Sequence, residues 1–99
     1  MKILAIEHEL PNAAPEVFQG HAQEEARKAW EFHQADLIRE LYFRADRSTA
    51  VLVLECNSTE EANQILGELP FVREGLITFE LIPLQAYPGF GRLFREGDS

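Results

Sequence analysis

The stretch Ala50-Val51-Leu52-Val53-Leu54-Glu55-Cys56-Asn57-Ser58-Thr59-Glu60-Glu61-Ala62 decides the fold. Its first seven residues are nearly all apolar, which marks a strand covered on both faces and therefore central in its sheet. Ser58 followed by Glu61 is a capping box. Ala62, Ile65, Leu66 and Leu69 then recur at helical spacing before Pro70 stops the helix.

Working outward, Leu37 to Arg44 reads as a second strand. The polar Asp46-Arg47-Ser48 turn joins it to residues 50–56 as an antiparallel hairpin. Residues 2–9 form a first strand that ends at the Leu10-Pro11-Asn12 break. Pro15 opens a helix running to about residue 34. Phe18, Ala22, Ala26, Ala29, Trp30 and His33 share one of its faces, and the alanines let that face lie close on a sheet. Residues 76–84 make the last strand, with Pro83 placing it at an edge or a strand end. The chain is a single domain over residues 1–99, with residues 86–99 as a C-terminal arm around the aromatic Tyr87-Pro88-Gly89-Phe90 segment.

The order β-α-β-β-α-β predicts an α+β fold of the ferredoxin-like split type. Right-handed crossovers then give an antiparallel sheet of order 4-1-3-2 with both helices on one face. Strand parity assigns Leu4, Ile6, His8, Leu37, Arg39, Leu41, Phe43, Ala50, Leu52, Leu54, Ile77, Phe79 and Leu81 to the helix side. The other side takes Ala5, Glu7, Ile38, Glu40, Tyr42, Val51, Val53, Glu55, Thr78, Glu80 and Ile82. That second face is too apolar to stay wet, so a second copy is expected to cover it as a dimeric α+β barrel, with the arm reaching across. The competing reading has the glutamates solvating an open face.

Composition narrows the function classes. At 99 residues with 45% hydrophobic and 26% charged residues, the chain is globular and has no apolar run long enough for a membrane span. The short apolar start ends at Glu7 without a cleavage site, which makes a cytosolic address the default. A net charge of −8 without a basic stripe disfavours nucleic acid. A lone Cys56 excludes an internal disulfide. No phosphate loop, Ser/His/Asp order or catalytic Cys/His pattern occurs.

His33, one turn from Trp30, falls on the apolar helix face, where burial would favour the neutral imidazole that a proton abstractor needs. Arg39 starts the neighbouring strand and could offer its guanidinium to a carboxylate. The bland alternative has His33 bonding a backbone carbonyl and Arg39 pairing with Glu55. Glu40 and Tyr42 point into the presumed barrel with Glu55 and Glu80, where crowded carboxyls make candidate acids or bases. Solvation of the same groups at the barrel ends is the alternative. His8 and His33 fall at opposite ends of the sheet and His21 at the helix edge, so no histidine metal centre is expected.

With these elements placed, the chain resembles the muconolactone isomerase-like group of small dimeric α+β-barrel proteins. The resemblance lies in the strand and Ser58-Thr59-Glu60-Glu61-Ala62 helix start, the Leu69-Pro70-Phe71 stop, and Arg39-Glu40-Leu41-Tyr42. It implies an oligomer of barrel dimers and, for the true isomerases, a proton moved between carbons of a carboxymethyl-substituted unsaturated lactone without cofactor. Glu40 and Tyr42 stand where those isomerases carry His and Trp, and Tyr87 where their tail has His before Pro; Arg39 is the matching charged position. The expectation is a homo-oligomeric barrel binding a small acidic or cyclic metabolite, with isomerase chemistry. His33, Glu40 and Tyr42 are its candidate acid-base groups, and Trp30, Arg39 and Tyr87 its candidate substrate contacts. The alternative is a non-catalytic ligand-binding or stress-related accessory module.

Overall fold

A computed structural model describes residues 1–11 and 13–95. Asn12 of the expected Leu10-Pro11-Asn12 break, and residues 96–99 of the expected arm, lie outside the described residues. The elements are β1 (Lys2–Glu9), α1 (Pro15–Gln34), β2 (Ile38–Phe43), β3 (Ala50–Glu55), α2 (Thr59–Leu66), α3 (Pro70–Arg73) and β4 (Ile77–Leu84), followed by a 3-10 helix at Gly89–Leu93. Strand order is β2-β3-β1-β4 with every neighbouring pair antiparallel, the expected 4-1-3-2 order read from the opposite edge. β3 is interior, as its apolar run requires. No helix is long and apolar enough to cross a membrane among the described residues.

The helix ends follow local chemistry. Ser58 Oγ accepts from the Glu61 amide at 3.1 Å, while Glu61 Oε2 reaches back to the Asn57 amide at 3.3 Å. Ser58→Ala is therefore expected to cost about 1 kcal/mol. The check is a lower urea midpoint at an unchanged denaturant slope.

Pro70 does not merely stop the second helix. α2 already ends at Leu66, and Pro70 opens α3 as its first residue, where a missing N–H costs nothing. Leu69 before it is extended at ψ 132°, as a residue preceding proline must be. α1 closes with Asp36 at φ 64°, its amide bonded to His33 O and the Leu37 amide to Phe32 O. That is a Schellman ending built on an Asp rather than a Gly. Gly75 does the same job after α3 at φ 74°.

The core packs Ile3, Ala5, Ile38, Leu52 and Leu54 of the sheet against Phe32 of α1 and Ala62, Leu66 and Leu69 of the α2 region. This corrects two parity assignments. Ile3 pairs with Leu54 and Ala5 with Leu52, so Ile3, Ala5 and Glu7 face the helices, and Leu4, Ile6 and His8 the open side. β1 is apolar at four successive positions, Ile3 to Ile6, so alternation alone could not choose its face, and a one-residue error flips every side chain. In β2 a register shift between Ile38 and Glu40 turns Ile38 inward, where it is fully buried, while Leu41 and Phe43 keep the expected side.

The open face carries half-buried Leu4, Ile6, Val51, Val53 and Ile82, with His8 bonded to Glu80 at 3.2 Å beside them. The C-terminal segment leaves the body. A radius of gyration of 16.9 Å and a long axis of 62 Å exceed the roughly 13 Å radius of a compact chain this long. Tyr87, Phe90, Leu93 and Phe94 are all exposed there. The segment is nonetheless structured: the Tyr87 and Phe90 rings meet edge-on at 4.9 Å, and the Tyr87 ring fills the space a side chain on Gly89 would need.

Candidate functional site

Ala22, Ala26 and Ala29 of α1 are too small to fill the space between that helix and the sheet. A hollow of about 320 Å³ remains. Ala22, Ala26 and Ala29 roof it, Ile38, Leu41, Ala50 and Leu52 floor it, and Leu69, Phe71 and Phe79 close one side. Phe71 is steadied edge-on by Phe18, ring centroids 5.0 Å apart.

Two carboxyls break this apolar lining, Glu7 from the sheet and Glu25 from the helix. Glu7 accepts from the Ala50 amide at 3.0 Å, and Glu25 from the Phe71 amide at 2.9 Å. Burial pushes both above the ordinary carboxylate range. For Glu7 the Ala50 amide opposes this and the charge on Glu9 adds to it. For Glu25 the Phe71 amide opposes, the charge on Glu7 adds, Arg73 opposes and Glu24 adds. The charge on Glu7 thus reaches Glu25. A pair of carboxyls in an apolar setting favours one protonated and one ionised member, which is an acid and a base in a single site.

No known family's sequence model matches the chain, and no curated protein sequence does. Solved structures do. Muconolactone isomerase superposes with a TM-score of 0.73 at 20% identity, covering 89% of this chain and 92% of that one. The 5-chloro-2-hydroxyhydroquinone dehydrochlorinase of Burkholderia phenoliruptrix AC1100, solved with 2,5-dihydroxybenzoquinone, gives a TM-score of 0.67 at 15% identity over 90% of this chain and 98% of that one. The fold is muconolactone isomerase-like.

Four of the residues singled out from sequence come together next door. Trp30, His33, Arg39 and Glu40 line an open groove that shares Ala26, Ala29 and Leu41 with the hollow. His33 is exposed rather than buried, because the end of α1 lies over the edge strand β2 and nothing covers its outer side. Its Nδ1 donates to Ile38 O at 2.8 Å, so Nε2 is the unprotonated nitrogen of the neutral ring. Trp30 is 58% exposed and tilts against His33 with centroids 6.0 Å apart. Arg39 Nε donates to Asp36 O at 2.7 Å, leaving the two terminal nitrogens of its fork for other acceptors.

Tyr42 is on the open face of the sheet, where its hydroxyl donates to Glu40 at 2.8 Å. That bond and the charge on Glu40 raise the phenol above its usual range, so Tyr42 remains protonated near neutrality. Tyr87 sits on the arm and lines neither the hollow nor the groove. Glu55 pairs with the Met1 ammonium at 2.6 Å rather than with Arg39, and that partner chiefly holds its carboxyl low.

Sequence reasoning missed Glu7 and Glu25. Glu7 was lost with the parity of β1. Glu25 carried a readable signal: it lies three residues after Ala22 and four before Ala29, a charge set into the middle of the small-residue stripe. A wider hollow, about 530 Å³, separates α1 from α2 and α3, and Lys28 and Arg73, two of the three cations that line it with Arg27, are engaged by carboxylates. Lys28 pairs with Glu31 and Glu68, and Arg73 with Glu24 and Glu74, so this region is an ion belt that ties the helices together. Among the described residues no group of His, Cys, Asp or Glu is arranged to hold a metal ion.

Proposed function

We propose that the protein binds a small cyclic metabolite in the hollow under α1 and moves a proton between two of its carbons, without a cofactor. The observation that carries this reading is the pair Glu7 and Glu25, both half-buried in the lining of one otherwise apolar hollow. Glu7, as carboxylate, removes a proton from a ring carbon next to a carbonyl. Glu25, as carboxylic acid, delivers its own proton to a second carbon of the conjugated system. The C–H bond breaks at the first carbon and a new one forms at the second, so the product is an isomer. The two glutamates end with exchanged protonation and reset through solvent. The solved structures of similar fold agree in scale, since one is named for a lactone isomerase and the other holds a single-ring quinone.

In the second reading, the groove of Trp30, His33, Arg39 and Glu40 is the site. The free lone pair on His33 Nε2 and the unoccupied fork of Arg39 favour it. His33 is then the base, Arg39 a carboxylate anchor, Glu40 with Tyr42 secondary proton handlers, and Trp30 the surface on which the ligand rests. In both readings the protein works as a homo-oligomer. A second copy covers the apolar open face, and its arm brings Tyr87 toward the neighbouring subunit.

Incubation with unsaturated lactones and cyclic enones in deuterium oxide, followed by NMR, tests the proposal. Deuterium entering two ring carbons with the native protein, and neither with a Glu7→Gln/Glu25→Gln variant, is the expected result. Exchange that survives in that variant and vanishes in His33→Ala transfers the chemistry to the groove. Binding without exchange makes the protein a ligand-binding module.

A further inference from the structure

The hydrogen-bonding inventory of the hollow narrows its ligand further. Each of the two carboxyls accepts one backbone amide, Glu7 from Ala50 and Glu25 from Phe71. A carboxyl has several hydrogen-bonding positions, ionised or protonated, so both keep capacity beyond that one bond. Among the described residues no Lys, Arg or His lines the hollow, and the remainder of its wall is apolar. Arg73, the nearest cation acting on Glu25, is bound to Glu24 and Glu74 outside it. A volume of about 320 Å³ is at the small end of ligand pockets, which start near 300 Å³, and suits one ring rather than a fused pair.

With Glu7 ionised and Glu25 protonated, the hollow holds one negative charge, one donor hydrogen and no cation. A ligand hydroxyl donates to the Glu7 carboxylate and accepts from the Glu25 acid. A ligand carboxylate supplies a like charge with no cation in the wall to offset it. We infer that the hollow takes a single uncharged ring presenting hydroxyl groups to Glu7 and Glu25, and that it rejects the same ring carrying a carboxylate. The inference rests on the hollow being the site. It narrows the ligand from a small acidic or cyclic molecule to a neutral, hydroxylated ring.

Titration calorimetry with resorcinol and meta-hydroxybenzoate tests it, because these differ only in a hydroxyl replaced by a carboxylate. Resorcinol is expected to bind the native protein at least about tenfold more tightly. In the Glu7→Gln protein, whose amide oxygen still accepts the Ala50 N–H bond, that gap is expected to close or reverse, whereas Glu25→Gln, which exchanges one neutral group for another, is expected to keep it. A merely structural role for the glutamates would weaken both ligands equally. Tighter binding of meta-hydroxybenzoate, lost in Arg39→Ala and indifferent to Glu7→Gln and Glu25→Gln, overturns both the inference and the hollow as the site, because the ligand then sits in the groove. Tighter binding of meta-hydroxybenzoate that is lost in Glu25→Gln overturns the inference alone. Folded native protein that binds neither ring overturns both.

Discussion

Replacing Glu25 by Gln is expected to slow turnover by about a hundred- to ten-thousandfold while the fold survives. The amide keeps an oxygen for the Phe71 N–H, so the turn into α3 stays anchored, but it has no proton to deliver. The pH profile separates this loss from a packing defect. Glu7 must be ionised to accept a proton, so activity falls on the acid side; Glu25 must be protonated to give one, so activity falls as pH rises through its elevated pKa. The two limbs belong to the coupled pair, and the alkaline limb is the one expected to flatten in Glu25→Gln.

Stability should move the other way. A carboxyl whose folded pKa lies above its unfolded value binds more protons in the native state, so both glutamates cost stability at neutral pH. That cost shrinks as pH falls through their folded values. Glu25→Gln removes the cost and should raise the melting temperature at pH 7. The gain is at most about 1 kcal/mol, because both carboxyls keep some solvent contact that screens them. Activity lost and stability gained in one substitution is the behaviour of a functional group held in an unfavourable place.

The same groups explain how far the sequence could be read. Strand order, the interior place of β3 and the span of α1 follow from local signals, namely a run of apolar residues, a proline at a helix start and a capping box. Those signals are short-range, and nothing in the tertiary structure opposes them. The face of β1 is a different kind of fact. With Ile3, Leu4, Ala5 and Ile6 all apolar, its orientation is set by pairing to Leu52 and Leu54 about fifty residues away, and the position of Glu7 goes with it. The site was illegible for that reason. Helix periodicity and strand adjacency, both local, put Trp30, His33 and Arg39 on one side, and these line one groove; Glu40, expected on the other face of the sheet, joins them there. The Glu7–Glu25 pair required knowing which way a strand faces. The bulge before Glu40 likewise reverses Ile38 without any glycine or proline to announce it.

Val53→Asp should convert an associated protein into a lone subunit. Val53 stands mid-strand on the open face, opposite Leu4 on one side and Glu40 on the other, within the patch of Ile6, Val51 and Ile82. In a separate chain that face is only half-covered, so an aspartate there meets water, and its poor strand preference and the like charge of Glu40 opposite cost about 1–2 kcal/mol. Packed against a second sheet, it would be a buried charge without a partner, costing about 3–5 kcal/mol. That corresponds to a dissociation constant raised by roughly a hundred- to a few-thousandfold. Sedimentation velocity at micromolar concentration should show the native chain associated and the variant at 11.3 kDa, with unchanged circular dichroism. A native chain that already sediments at 11.3 kDa would leave Leu4, Ile6, Val51 and Val53 wet, and the covering subunit would have to be abandoned. Truncation after residue 86 discriminates further. Tyr87, Phe90, Leu93 and Phe94 are exposed on that segment, so weaker association on their removal is the result expected if they pack on a neighbouring copy.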